Sequence, residues 1–146
     1  MIDKTNYIMI MACLWRKFVS LYSDWAEAHG LSYYEFMILY LLNRQNRLMQ
    51  KEVTAATEIP KQSISHAARR LCEKGLIEFV ASQADRREKD MILTGDGARF
   101  VKENFTPLLK IEEEAFDRVG FEQIDDMVEM AKKFLESFDG AMNNKP

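Results

Sequence analysis

A chain of 146 residues, 47% hydrophobic and 29% charged, has the size of one domain and buries a core without disulfide or metal support. Its longest apolar run, Tyr7 to Trp15, is too short to span a bilayer. Arg16 and Lys17 follow it in place of a small-residue cleavage site, so no membrane partner is expected and a cytoplasmic location is read. The net charge of −3 conceals a division: Pro60 to Asp90 holds seven basic and five acidic side chains, a net +2, and Ile111 to Gly140 holds three basic and ten acidic, a net −7. Such a pattern fits a chain whose middle faces a polyanion and whose end does not.

The first thirty residues read as one helix, with Met11, Leu14, Trp15, Phe18, Tyr22 and Trp25 at three- and four-residue spacings, a helix expected to be buried on most sides. Gly30 closes it. Ser32-Tyr33-Tyr34-Glu35 has the form of a capping box and opens a second helix carrying Phe36, Leu39, Tyr40 and Leu42. A short helix is expected from about Gln50 to Glu58, with Val53, Ala56 and Ile59 on one apolar edge. Pro60 suits the start of the next helix, which runs to Lys74 and stops at Gly75. Leu76 to Ala81 alternates like a strand, and Met91 to Leu93 returns as its hairpin partner. Thr94 caps a long helix reaching toward Asp117, with Pro107 as a point of kinking. Gly120 interrupts, and Phe121 to Phe138 forms a last amphipathic helix. The fold class is therefore mainly α with a small β-hairpin. No repeat, low-complexity stretch or interdomain linker appears.

The segment from Gln50 to Lys74 has helix-turn-helix proportions. Ile64, Ala67, Ala68 and Leu71 occupy one face of its second helix, which leaves Gln62, Ser63, Ser65, His66, Arg69, Arg70 and Glu73 outside. Amides, small hydroxyls and cations without bulky apolar groups suit a helix that reads base edges in a major groove; the plain alternative is a solvated helix face. At the hairpin tip, Arg86 and Arg87 project beside Asp85, and a thin cationic finger suits a minor groove. Asp85 is expected to orient Arg87. Lys51, Lys61, Arg70 and Lys74 are expected on phosphates. No Gly-rich phosphate loop, His-Glu-x-x-His, Gly-x-Ser-x-Gly or paired-cysteine motif is present, so neither an enzyme nor a cofactor is expected. Two histidines and two unlinked cysteines supply no metal set.

Three stretches in order, Leu71-Cys72-Glu73-Lys74-Gly75-Leu76-Ile77, Asp85-Arg86-Arg87 and Ile92-Leu93-Thr94-Gly95-Asp96-Gly97, together with Leu31-Ser32 to Leu39, resemble the MarR family of winged helix-turn-helix regulators. The resemblance covers roughly Leu31 to Phe100. It implies a single MarR-like domain spanning 1–146, with a DNA-binding lobe over about 32–100 and dimerisation helices over 1–30 and 101–146. It implies a homodimer that binds double-stranded DNA at a pseudo-palindromic operator, as a ligand-responsive repressor. His66 stands where the family often has arginine, and Pro60 is less usual at the helix start. Tyr7, Trp15, Phe105, Leu108, Phe116, Phe121 and Phe134 exceed what a small lobe hides, which agrees with a dimer.

The residues offer three candidate sensors. Trp15, Phe18, Tyr22, Tyr33, Phe36 and Tyr40 are candidates to line a pocket for a small aromatic or phenolic ligand, with Arg16 or a tyrosine hydroxyl fixing an anionic or phenolic group; core and interface packing is the alternative. A redox response through Cys13 is the second, because one branch of the family uses a first-helix cysteine near tyrosines matched by Tyr22 and Tyr33, although Ile8 falls at that branch's cysteine. Metal sensing is the third and weakest, since His29 and His66 are far apart. A winged-helix protein-interaction module without specific DNA binding is the competing class.

Overall fold

The computed structural model describes residues 3–143. Among them the chain forms α1 (Lys4–Ala28), α2 (Tyr33–Leu42), β1 (Leu48–Met49), α3 (Gln50–Thr57), α4 (Lys61–Glu73), β2 (Ile77–Ala81), β3 (Lys89–Leu93), α5 (Gly95–Val119) and α6 (Phe121–Asn143). It divides into two compact units, one ending at Phe105 and one beginning at Thr106, so the boundary falls inside α5.

In the first unit, local chemistry fixes each helix end. Asp3 caps α1 by accepting from the Thr5 amide at 3.0 Å. The far end of α1 closes with two reversed bonds, Gly30 N to Glu27 O at 3.0 Å and Leu31 N to Ala26 O at 2.9 Å, the Schellman arrangement. The capping box of α2 is present: the Glu35 amide donates to Ser32 Oγ at 3.2 Å and the Ser32 amide donates to Glu35 Oε2 at 2.6 Å. Helix α4 ends like α1, with Leu76 N bonded to Leu71 O at 3.0 Å. Gly75 makes that turn at φ +72°, a left-handed conformation that only glycine adopts without strain.

Helix α2 packs on α4 and β3, α3 packs on α4 and β1, and α4 packs on β2. The core they enclose contains Phe36, Ile38, Leu39, Val53, Ile64, Leu71, Ile77, Met91 and Phe105. The sheet is antiparallel in the order β1-β3-β2. Its registers pair Leu48 with Met91, Phe79 with Met91 and Val80 with Asp90.

Several boundaries differ from expectation. The hairpin gains a third strand, because β1 is two residues long and carries no periodicity to read. Strand β3 begins at Lys89, two residues before Met91, and α6 continues past Phe138 to Asn143. Pro60 is the cap of α4 and precedes its first residue, Lys61. On α3 only Val53 is buried; Ala56 is exposed. The largest departure is α1, whose single buried residue is Ala26. Tyr7, Ile8, Met9, Ile10, Leu14, Trp15 and Phe18 lie exposed, not buried on most sides.

In the second unit, α5 runs through Pro107 without a break. Proline there withholds one intrahelical N–H. Gly120 separates α5 from α6, and the Phe116 and Phe121 rings meet across it at 6.0 Å. No described residue of α6 is buried.

Candidate nucleic-acid interface

The turn between α3 and α4 is made by Glu58, Ile59 and Pro60. Glu58 sits at φ +55°, a conformation that costs a non-glycine residue about 1 kcal/mol or more. Thr57 supports it: its hydroxyl donates to Val53 O at 2.7 Å and accepts from the Ile59 amide at 3.3 Å. This fixes the direction in which α4 leaves. Ile64, Ala67, Ala68 and Leu71 then point into the core. Lys61, Gln62, His66, Arg69 and Arg70 are exposed, and Ser63 and Ser65 are half-buried. A shallow cleft beside α4 is lined by Ser32, Tyr34, Gln62, Ser63, His66 and Arg70, among others.

The wing is a turn at the end of β2 and β3. Asp85, Arg86 and Arg87 are all exposed. Asp85 Oδ1 accepts from the backbone amide of Arg87 at 2.9 Å, so it shapes the turn, where an orienting bond to the guanidinium was expected. Buried Ser82 anchors the base of the wing, its amide donating to Glu88 O at 3.0 Å. Two ion pairs tie the returning strand to the helix-turn-helix side. Lys51 Nζ lies 2.6 Å from Glu88, and Arg47 lies 3.4 Å from buried Asp90. The hydrogen bond to Glu88 raises the Lys51 pKa.

The cations expected on phosphate differ in how free they are. Lys51 is paired on the surface with Glu88. Lys74 Nζ is 2.8 Å from Glu35 and donates to Gly30 O at 2.8 Å, which ties it to the α1–α2 turn. Arg70 Nε faces Glu35 at 3.6 Å and keeps a half-exposed side chain.

Sequence reasoning read Glu35 only as a helix cap and missed Arg47, Ser82, Glu88 and Asp90. Nothing in the sequence links Arg47 to Asp90, which are far apart along the chain. Gly97 was noticed only as part of a motif, and the structure supplies its cause. A Cβ there would lie 1.8 Å from Leu76 O, so the start of α5 can rest against the turn that follows α4 only because residue 97 is glycine. Thr94 completes the joint: its hydroxyl donates to Gly75 O at 2.6 Å and accepts from Gly97 N at 2.9 Å.

The six aromatic pocket candidates come together as one cluster of mostly edge-on and tilted rings. Trp15 meets Phe18, Phe18 meets Tyr22 at 5.2 Å, and Tyr22, Tyr33 and Tyr40 each meet Phe36, with Trp25 and Phe105 behind. Cys13 is exposed and lines a shallow cleft with Arg16, Lys17 and Ser20, while Tyr22 and Tyr33 turn toward Phe36. Burial, then Glu73 and Glu78, pushes the Cys72 thiol up. Among the described residues no group of three or more His, Cys, Asp or Glu is placed to hold a metal ion, and no helix is long and apolar enough to cross a membrane.

Residues 29–88 match the model of the MarR family. The match runs from His29 to Glu88, across α2, α3, α4 and the wing. An uncharacterised HTH-type transcriptional regulator of Bacillus subtilis, YwoH, is 28% identical over 88 residues. That match spans 60% of this chain and 64% of the YwoH sequence, just under two thirds of the relative's length. The fold extends further than the sequence similarity. NMB1585, a MarR family regulator from Neisseria meningitidis, superimposes with a TM-score of 0.82 at 21% identity, over 99% of this chain and 100% of that one. BpsR of Bordetella bronchiseptica, whose DNA binding is regulated by 6-hydroxynicotinic acid, gives 0.67 at 22% identity over 90% and 93%. The MarR fold thus accommodates the whole helical framework, and the MarR sequence pattern is concentrated in the lobe that carries α3, α4 and the wing.

Proposed function

We propose that the chain is a homodimeric, sequence-specific DNA-binding transcriptional regulator and not an enzyme, acting as a ligand-responsive repressor on a pseudo-palindromic operator. The observation that carries this reading is the outer face of α4. Gln62, Ser63, Ser65, His66, Arg69 and Arg70 line it without a bulky apolar side chain, while Ile64, Ala67, Ala68 and Leu71 fill the inner face. In a MarR-family lobe such a face enters a major groove, with Gln62, Ser63, Ser65, His66 and Arg69 on base edges and Arg86 and Arg87, shaped by Asp85, in the flanking minor groove. Lys61, Arg70 and, once released from Glu88, Lys51 neutralise phosphates.

The uncovered apolar side chains of α1 and α6 support the homodimer, because surface of that extent in a folded chain marks an interface. Two-fold symmetry then sets the recognition helices roughly 34–36 Å apart, one turn of DNA. Regulation of BpsR by an aromatic acid supports a small aromatic or phenolic effector here, for which the cluster of Trp15, Phe18, Tyr22, Tyr33, Phe36 and Tyr40 offers ring partners.

Selection of genomic fragments bound by the purified protein tests the reading. A recovered motif of two inverted half-sites about one helical turn apart is expected. Recovery of no motif at moderate salt leaves a winged-helix protein-interaction module in its place.

A further inference from the structure

Glu35 differs from the other carboxylates near α4. It is 1% exposed, it stands on α2, and its partners lie on α4 and at its own helix cap. Oε2 accepts from the Ser32 amide at 2.6 Å. Oε1 has no aligned hydrogen bond and rests on charge, with Lys74 Nζ at 2.8 Å and Arg70 Nε at 3.6 Å. Burial pushes this carboxyl up, but Lys74 and Ser32 outweigh it and the group is held below its ordinary value, ionised at neutral pH.

The two cations are held unequally. Lys74 has a second acceptor in the Gly30 carbonyl, so its ammonium is fixed between the end of α4, the α1–α2 turn and a buried carboxylate. Arg70 lies beyond hydrogen-bond distance, and its side chain is 53% exposed. It borders the same cleft as Gln62, Ser63 and His66.

We propose that Glu35 is a positioning residue for DNA recognition, which withdraws Lys74 from the phosphate backbone and steadies Arg70 beside the base-reading side chains. The inference rests on the DNA-binding reading above. A free lysine is a mobile point charge that attracts every phosphate alike. Holding its ammonium against Glu35 and the Gly30 carbonyl trims sequence-independent affinity and leaves discrimination to the contacts that read bases.

The test uses the full chain, its selected operator and a scrambled duplex, with anisotropy over a salt series for Glu35→Gln, Lys74→Gln and the double variant. Glutamine keeps an oxygen for the Ser32 amide, so the cap survives while the charge is lost. Glu35→Gln should bind scrambled DNA roughly three- to tenfold more tightly, with a log–log salt slope steeper by about 0.9 for the one cation released, Lys74. Operator selectivity should fall by a similar factor. Lys74→Gln alone should leave the slope unchanged, and the double variant should return it to the wild-type value. A folded Glu35→Gln protein with unaltered slope and selectivity overturns the proposal. So does a Lys74→Gln protein whose slope flattens by about 0.9, the mark of a lost phosphate contact; this variant decides the matter if Glu35→Gln fails to fold. Wild-type protein that binds neither duplex overturns the DNA-binding reading itself, and the proposal with it.

Discussion

In the unit ending at Phe105, Leu39, Ile64, Leu71 and Met91 are fully enclosed, whereas α6 in the other unit buries nothing and leaves Phe121, Met130 and Leu135 more than half exposed. Apart from α1, the first unit encloses most of its large apolar side chains within one chain. The second, together with the outer face of α1, presents aromatic and aliphatic side chains that water disfavours at about 25 cal/mol per Å². That division fits the homodimer proposed above, in which a second copy of the chain would cover the exposed helices.

Matched leucine truncations separate the two regimes most sharply. Leu71→Ala removes a fully buried side chain and should cost about 2–5 kcal/mol, with a Tm drop that is independent of protein concentration. Leu135→Ala should shift the dimer equilibrium instead, so that its Tm deficit shrinks as concentration rises. Equal, concentration-independent losses at both sites would erase the distinction. Gly97→Ala comes next, because its methyl group meets the Leu76 carbonyl. Backbone must move, and about 1–3 kcal/mol of stability should be lost despite alanine's better helix propensity. A variant as stable as wild type would show that the α4–α5 joint is loose.

Smaller effects belong to the surface proposed to face DNA. Gln62→Ala should relax preference at one base position by about 1–3 kcal/mol, and Arg87→Ala should weaken binding to most sequences and flatten the salt slope by about one unit. Wild-type behaviour of Arg87→Ala would remove the wing from the interface. The smallest effect is in acid. Because the folded-state pKa of Glu35 is lowered from 4.5, its ionised form contributes stability above that value and loses it as the pH falls through the lowered one. The Tm of wild type should therefore fall relative to Glu35→Gln only below about pH 4.5. A constant gap between the two proteins would mean that Glu35 is not ionised in the folded lobe.

How much of this was legible in the sequence follows the same division. The capping box at Ser32, the closing turns at Gly30 and Gly75 and the inner face of α4 could be read directly, since each depends on neighbours within a few residues. The MarR resemblance was strongest where these local rules are densest. Strand β1 could not be read, because two residues at Leu48 and Met49 pair with a strand some forty positions later. The pairs Arg47–Asp90 and Lys51–Glu88 were hidden for the same reason. Lys74 looked like one more cation on the reading helix, and only its approach to Glu35 and Gly30 shows it tied into the lobe. The apolar run from Tyr7 to Trp15 looked like core, because hydrophobicity alone does not say which chain covers a side chain.

Fluorescence anisotropy of the purified protein on DNA from immediately upstream of its own gene, with scrambled DNA as control and a salt series for both, addresses the DNA-reading claim directly. Selective binding at two chains per duplex, with affinity that falls steeply as salt rises, is the predicted result. Equal binding to both duplexes, or one chain per duplex with a shallow salt slope, would contradict a dimer that reads DNA through α4 and the wing.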